Sequence, residues 1–310
     1  MAGAFTHIII SDIGKTRQKQ LGTELFQLLN KHYRFLFLGS VSPDLPYLSL
    51  KTGGINWADV MHWEKTDSNF NIGYEELKTS WHLESEIDRA KLVWLMGYVS
   101  HMIADATIHP VVKEIVGEYN DETKDKHRIC EMTQDSIIFF NHRNGEDIRY
   151  GEFADIVHYC KNSEHFEEFI AFWKRIMEVN YPEKGEEPYP ELWFKTYSAA
   201  IDFADGKSVF AGIFRHVGPG KSFIYKTAEE IKDSEQDNYA NYFEKVKLPG
   251  GTTANFEEVF EKAVNNVVGA WRTIYSGLTT NVVPVKVVKP WNLDTGIDMQ
   301  SLSKEVTYWV

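Results

Sequence analysis

The sequence predicts an all-α protein, a multi-helix bundle built around a multinuclear metal site and ending in an irregular or short β tail. Three observations predict it. Apolar residues recur at helical spacing through much of the chain, as at Phe256, Val259, Phe260, Ala263, Val267 and Trp271. Two of the predicted helices carry metal-ligand side chains at four-residue steps: His101, Asp105 and His109 on one, His127 and Glu131 on the other, with Asp135 one step further on. From Thr279 the character shifts to NVVPVKVVKPW and an irregular remainder. The expected division is a helical domain over 1–278 and an extended tail over 279–310.

Taken in order, THIIISD at 6–12 is a short β-branched stretch carrying His7. A helix follows over 17–31 with Leu21, Leu25, Leu28 and Leu29 on one face, then an apolar run at 33–38. In GSVSPDLPY (39–47) two prolines flank Asp44 and forbid regular structure. Residues 51–71 read as a loop, with GG at 53–54 and polar residues around Trp57, Trp63 and Phe70. Within it, WADVMHW sets His62 between bulky neighbours. A long helix spans 84–109, opened by acidic residues that suit its positive end and stopped by Pro110. An amphipathic helix covers 126–140. Further helices are predicted over 152–159, 165–179, 192–204, 227–246 and 255–276, with a loop over 182–191 and a proline and two glycines in 248–253 separating the last two. No internal repeat or low-complexity tract appears.

Composition narrows the function classes. With 310 residues, 43% hydrophobic and 14% aromatic, the chain has material for a large core. A formal charge of −12 disfavours steering of polyanions, so no stable nucleic-acid partner is expected. Cys130 and Cys160 lie far apart and form no metal-ligand pair, which suits a reducing compartment; with no signal-peptide pattern at the start, a cytoplasmic location is expected. No window reaches ~18 uninterrupted apolar residues, so no membrane span is expected.

The stripe in GYVSHMIADATIHP (97–110) is costly to bury without a ligand. Leu92, Val93, Leu95, Met96, Val99, Met102 and Ile103 leave little polar surface around it, and an unpartnered carboxylate there meets a desolvation penalty of several kcal/mol. Histidine nitrogen and carboxylate oxygen are the ligands zinc takes in hydrolytic sites. The candidates are His7, His62, His101, Asp105, His109, His127 and Glu131, with Asp44 as a carboxylate facing the cluster. They are too many for one ion, so two or three Zn2+ are expected, with Asp105 bridging a pair. The corresponding chemistry is attack of a metal-bound hydroxide on a phosphodiester, Asp44 orienting or deprotonating the water. Glu-x-x-His pairs, His-Glu-x-x-His, GxxxxGK[ST] and G-x-S-x-G are all missing.

The order THIII, SPDLPY, MHW, SHMIADATIHP, HRICE resembles the zinc-dependent phospholipase C family over roughly the first half of the chain. In spacing, HxxxDxxxH is most similar to the catalytic domain of glycosylphosphatidylinositol-specific phospholipase D. The resemblance implies a mostly helical fold with a trinuclear zinc centre. It further implies that His62, His101 and Asp105 hold one ion, that His109, His127 and Glu131 hold a second, that His7 with bridging Asp105 holds a third, and that Asp44 is the general base. Secreted members complete the third site with an N-terminal tryptophan, whereas this sequence opens MAGAF. The expected function is a zinc-dependent phosphodiesterase acting on a phospholipid or glycerophosphodiester. The alternatives are a single-strand nuclease with a similar site, stacking bases on Trp57, Trp63 and Trp81, or a non-catalytic protein with structural metals. For the 282–291 stretch, docking on lipid, pairing with a second subunit and closing over the helical body all remain open.

Overall fold

The computed structural model describes residues 3–48, 54–80, 85–204, 225–280 and 287–309. Trp81 and positions 282–286 lie outside the described residues. The fold is all-α. Helices α1 (Ala4–Thr16), α2 (Gln18–Leu21), α3 (Thr23–Lys31) and α4 (Tyr33–Gly39) lead into a 3₁₀ helix at Ser42–Leu48, then α5 (Gly54–Trp63) and α6 (Thr66–Ser80). The long α7 (Glu86–Val116) and α8 (Lys124–His142) follow, then α9 (Tyr150–Lys161), α10 (Phe166–Asn180) and α11 (Pro190–Ala204). After α12 (Ala228–Ser234), α13 (Gln236–Tyr239) and a π-helical turn at Ala240–Glu244, the two-residue strands β1 (Val246–Lys247) and β2 (Thr253–Ala254) precede α14 (Phe256–Thr280). The tail adds a second antiparallel pair, β3 (Trp291–Asn292) and β4 (Ile297–Asp298), registered Trp291 to Asp298 and Asn292 to Ile297.

Helix α7 is the axis of the core. Every residue from 92 to 112 is buried, as expected of a helix apolar on all faces and surrounded by others. Ser85 starts it as an N-cap, accepting from the Asp88 amide at 3.3 Å. Tryptophans 94, 173, 193, 271 and 291 are fully buried around it, and the Trp271 indole donates to Met96 O at 2.8 Å. Cys130 and Cys160 are both buried and free.

The structure departs from the sequence reading in several places. The proline-flanked segment around Asp44 forms the 3₁₀ helix, and the helix expected over 227–246 is divided into α12, α13 and the π-helical turn before β1. The β-branched stretch at 6–12 is helical. Ile8, Ile9 and Ile10 are all buried on α1, so packing on several sides overrides strand propensity. The helix expected over 17–31 is broken at Gly22, which has φ +80°. The loop expected over 51–71 contains α5 and most of α6. Its polar residues misled because their partners are remote: Asn180 donates to Asn69 Oδ1 at 2.7 Å, and Asn69 donates to the Tyr98 hydroxyl at 2.9 Å. Finally, Pro110 does not stop α7. The helix runs on to Val116, and the Ala106 carbonyl that loses its helical donor at Pro110 faces Gly296, where a Cβ would stand 2.6 Å from it.

Among the described residues, no helix is long and apolar enough to cross a membrane. Residues 287–309 lie over the helical body: Val288, Trp291 and Leu293 are buried, and Thr66 donates to Trp291 O at 2.8 Å.

Candidate metal centre

Four elements deliver side chains to one buried cluster. The four-residue steps of α7 stack His101, Asp105 and His109 on one face, with exposures of 0, 0 and 3%. Helix α1 supplies His7, the last turn of α5 supplies His62, and the 3₁₀ helix supplies Asp44. Across from them α8 carries His127, Glu131 and Asp135, all buried.

Asp105 is the hub. Its Oδ1 lies 3.2 Å from His7 Nε2 and 3.2 Å from His109 Nε2, and its Oδ2 lies 3.1 Å from His101 Nε2 and 3.8 Å from His62 Nε2. Each oxygen therefore faces its own pair of imidazoles. Asp44 Oδ1 is 3.2 Å from His62 Nε2 and 3.9 Å from His101 Nε2. Two sets of three donor atoms fall within 4.8 Å of one another: His7, His101 and Asp105, and Asp44, His62 and His101.

Backbone carbonyls set the tautomers. His62 Nδ1 donates to Ala58 O at 2.8 Å, His101 Nδ1 to Ser40 O at 2.9 Å, and His109 Nδ1 to Leu293 O at 2.7 Å. A carbonyl only accepts, so each Nδ1 carries hydrogen and each Nε2 turns a lone pair inward, the usual arrangement of a metal-ligating histidine. This makes the 3.2 Å contact between His62 Nε2 and His101 Nε2 informative. Two lone pairs at that distance repel unless a cation lies between or one ring is protonated. Around one tetrahedral zinc with bonds of about 2.0–2.1 Å, donor atoms sit roughly 3.3 Å apart. The donor set, its burial and its spacing fit zinc.

The electrostatics describe the same demand. Burial opposes a charge on His62, but its hydrogen bond to Asp44 and the charges of Asp44 and Asp105 outweigh this and raise its pKa to about 9. Burial holds His109 down to about 3 and, with neighbouring His7, lowers His101. Burial alone raises a carboxyl, yet His109, His101 and His7 hold Asp105 well below its usual range, and His101 and His62 lower the pKa of Asp44.

His127 and Glu131 stand apart from those sets. His127 Nε2 lies 2.8 Å from Gly117 O, which leaves Nδ1 as the atom open to a ligand, and among the described residues no group of three donors within 4.8 Å includes it or Glu131. Burial lowers the pKa of His127 and raises that of Glu131. Asp135 has a different task. It accepts from the Thr6 amide at 2.8 Å, the Phe5 amide at 3.3 Å and the Tyr225 hydroxyl at 2.7 Å. It thereby caps α1, whose own N-cap residue is the side-chain-free Gly3, one turn from His7. A Cβ on Gly3 would stand 2.0 Å from Asp135 Oδ2.

Sequence reasoning did not find the carbonyls of Ser40, Ala58 and Leu293. No side chain marks them. Of the tryptophans considered for base stacking, Trp57 is core at 2% exposure, packed on Tyr181 and Trp193, and Trp63 is tied to Asp294 at 2.6 Å.

The sequence profile of the family described as zinc dependent phospholipase C matches residues 6–181, more than half of the chain. The chain belongs to the zinc-dependent phospholipase C family. Every candidate ligand from His7 to Glu131 falls within the matched range, whereas Leu293 does not. No curated protein and no solved structure matches the chain significantly. As a member of the zinc-dependent phospholipase C family, the protein is a helical zinc hydrolase of the phosphodiesterase kind with a lipid substrate, and its buried His/Asp cluster offers donors for the metal.

Proposed function

We propose that this chain hydrolyses the phosphodiester of a glycerophospholipid, or of the glycerophosphodiester derived from one, at a centre of two or three zinc ions. The observation that carries this reading is the division of the two Asp105 oxygens between separate histidine pairs. A bridging carboxylate has that form. His62 and His101 with Oδ2 would hold one ion. His109, with His127 and Glu131 behind it, would hold a second on the Oδ1 side, and His7, also on Oδ1, a third. Zinc supplies Lewis acidity there: it brings the pKa of water down to about 7 and offsets the charge developing on phosphate.

The chain's own groups do the rest. Asp44 is the most open member of the cluster, with 14% of its side chain exposed against 0% for His62, His101 and Asp105. Substrate and water therefore arrive on its side. Its carboxylate takes the proton of the attacking water and returns it to the departing alkoxide, so that one P–O bond forms as another breaks. The buried helices keep other nucleophiles away. Asp59, bonded to Tyr47 at 3.1 Å, and Asp294, bonded to Trp63, flank the His62 end of α5 with negative charge. That disfavours a polyanion, and the burial of Trp57 removes one of the stacking platforms a nuclease would use.

The test is hydrolysis by the zinc-loaded protein of phosphatidylcholine, phosphatidylethanolamine and phosphatidylinositol vesicles, alongside a single-stranded oligonucleotide. Zinc-dependent release of diacylglycerol and a phosphorylated head group is expected. Cleavage of the oligonucleotide alone, or no turnover of any substrate by fully loaded protein, would overturn the proposal.

A further inference from the structure

The turn between β3 and β4 reaches the metal cluster from outside the family-matched region. Its first residue, Leu293, makes two contacts of opposite sense through its own backbone. The Leu293 amide donates to His62 O at 2.9 Å, and the Leu293 carbonyl accepts from His109 Nδ1 at 2.7 Å. The His62 carbonyl lies in the last turn of α5, where helices leave carbonyls without a partner. One residue thus ties the ends of the cluster together, α5 to α7.

The turn is seated at the Pro110 irregularity. Gly296, at φ +65°, lies so close to α7 that a Cβ would stand 2.6 Å from both Ala106 O and Pro110 Cγ. At the residue after Ala106, Thr107 O accepts from the Trp309 indole at 2.7 Å. The segment is also held to itself: Gly296 donates to Asn292 O at 2.8 Å, and the Trp291 indole donates to Thr307 Oγ1 at 2.8 Å.

We propose that residues 287–309 form a clasp that aims His62 and His109 at the zinc centre, with Leu293 as the positioning residue, and that zinc binding and clasp docking reinforce each other. The proposal rests on the zinc-centre reading above. Without the Leu293 carbonyl, His109 is free to turn and to exchange the tautomer that presents Nε2. By linkage, whatever factor the docked clasp adds to zinc affinity, zinc adds to clasp docking.

The experiment compares wild type with Gly296→Ala, which drives a methyl into Ala106 O, and Trp309→Phe, which removes one hydrogen bond at the far end. Zinc affinity is read by chelator competition, ligand geometry by the visible spectrum of the cobalt-substituted protein, and docking by amide exchange of 291–309 with and without zinc. Expected are a 10–100-fold loss of affinity in Gly296→Ala, the range typical of outer-shell partners, a smaller loss in Trp309→Phe, an altered cobalt spectrum, and slower exchange at Leu293 and Gly296 on adding zinc to wild type. Wild-type affinity in both variants, or exchange in 291–298 that zinc leaves unchanged, overturns the clasp. A wild-type chain that takes up no zinc overturns the zinc centre and the clasp with it.

Discussion

Gly39 and Gly97 meet with no room for a side chain on either. A Cβ built on Gly39 would stand 2.1 Å from Trp94 O, and one built on Gly97 would stand 2.1 Å from Leu36 O. The opposing atoms are backbone, so neither helix can yield by a side-chain rotation. This crossing of α4 over α7 sets Ser40 beneath His101, whose Nδ1 bonds the Ser40 carbonyl. Gly97→Ala should therefore cost about 2–3 kcal/mol of stability, the upper part of the range for overpacking, and weaken zinc binding in the same variant. Chemical denaturation with a zinc titration checks both; an alanine variant of wild-type stability would mean the crossing is looser than these contacts describe.

Asp135 holds the first turn of α1 through Thr6 and Phe5, and His7 follows directly. Replacing it by alanine removes an acceptor of the Thr6 and Phe5 amides and of the Tyr225 hydroxyl, at a cost of about 1–3 kcal/mol for each group that no other partner or water then satisfies. Asp135→Ala should lower the melting temperature and reduce metal content at the His7 side first. Asp135→Asn, which keeps one acceptor oxygen, should recover part of both. Equal metal content in all three proteins would separate the cap from the metal centre.

Asp44 sits at the open edge of the cluster, and its assignment as base makes a distinct demand. Asp44→Asn should keep most of its zinc while turnover falls by about 10²-fold or more. Coupled loss of metal would make it a ligand instead, a role its 3.2 Å approach to His62 Nε2 makes geometrically open. Elemental analysis beside steady-state turnover distinguishes the two.

Away from the centre, His32 sits at the N-cap of α4 with 10% of its side chain exposed, beside Glu86. Burial lowers its pKa from 6.5 to about 4, with Lys31, Arg89 and His165 adding to the shift and Glu86 opposing it. The unfolded chain therefore binds the proton more readily than the folded one, and stability falls as pH drops from about 6.5 towards 4. His32→Gln should flatten that part of the stability–pH curve. An unchanged slope would assign acid sensitivity to other groups.

The buried stripe of His101, Asp105 and His109 was legible in sequence because an α-helix repeats near four residues, and an uninterrupted apolar setting makes such a stripe expensive without a ligand. What escaped was whatever depends on remote partners. Residues 51–71 looked like a loop because the partners that let Asn69 be buried lie far along the chain, at Tyr98, Asn180 and Tyr181. Pro110 looked like a terminus because the contacts of α7 with Gly296 and Trp309 come from the tail. The bond from His109 to Leu293 involves a backbone carbonyl, which any residue could supply, so no side chain announces it.

The central claim is that Asp105 joins zinc ions held by separate histidines, and metal content tests it most directly. After exhaustive dialysis, wild type should retain two or three zinc ions per chain, and Asp105→Asn should lose most of them together with activity. A wild-type chain without tightly bound zinc even after reloading, or an Asp105→Asn variant with its full complement, would contradict the account.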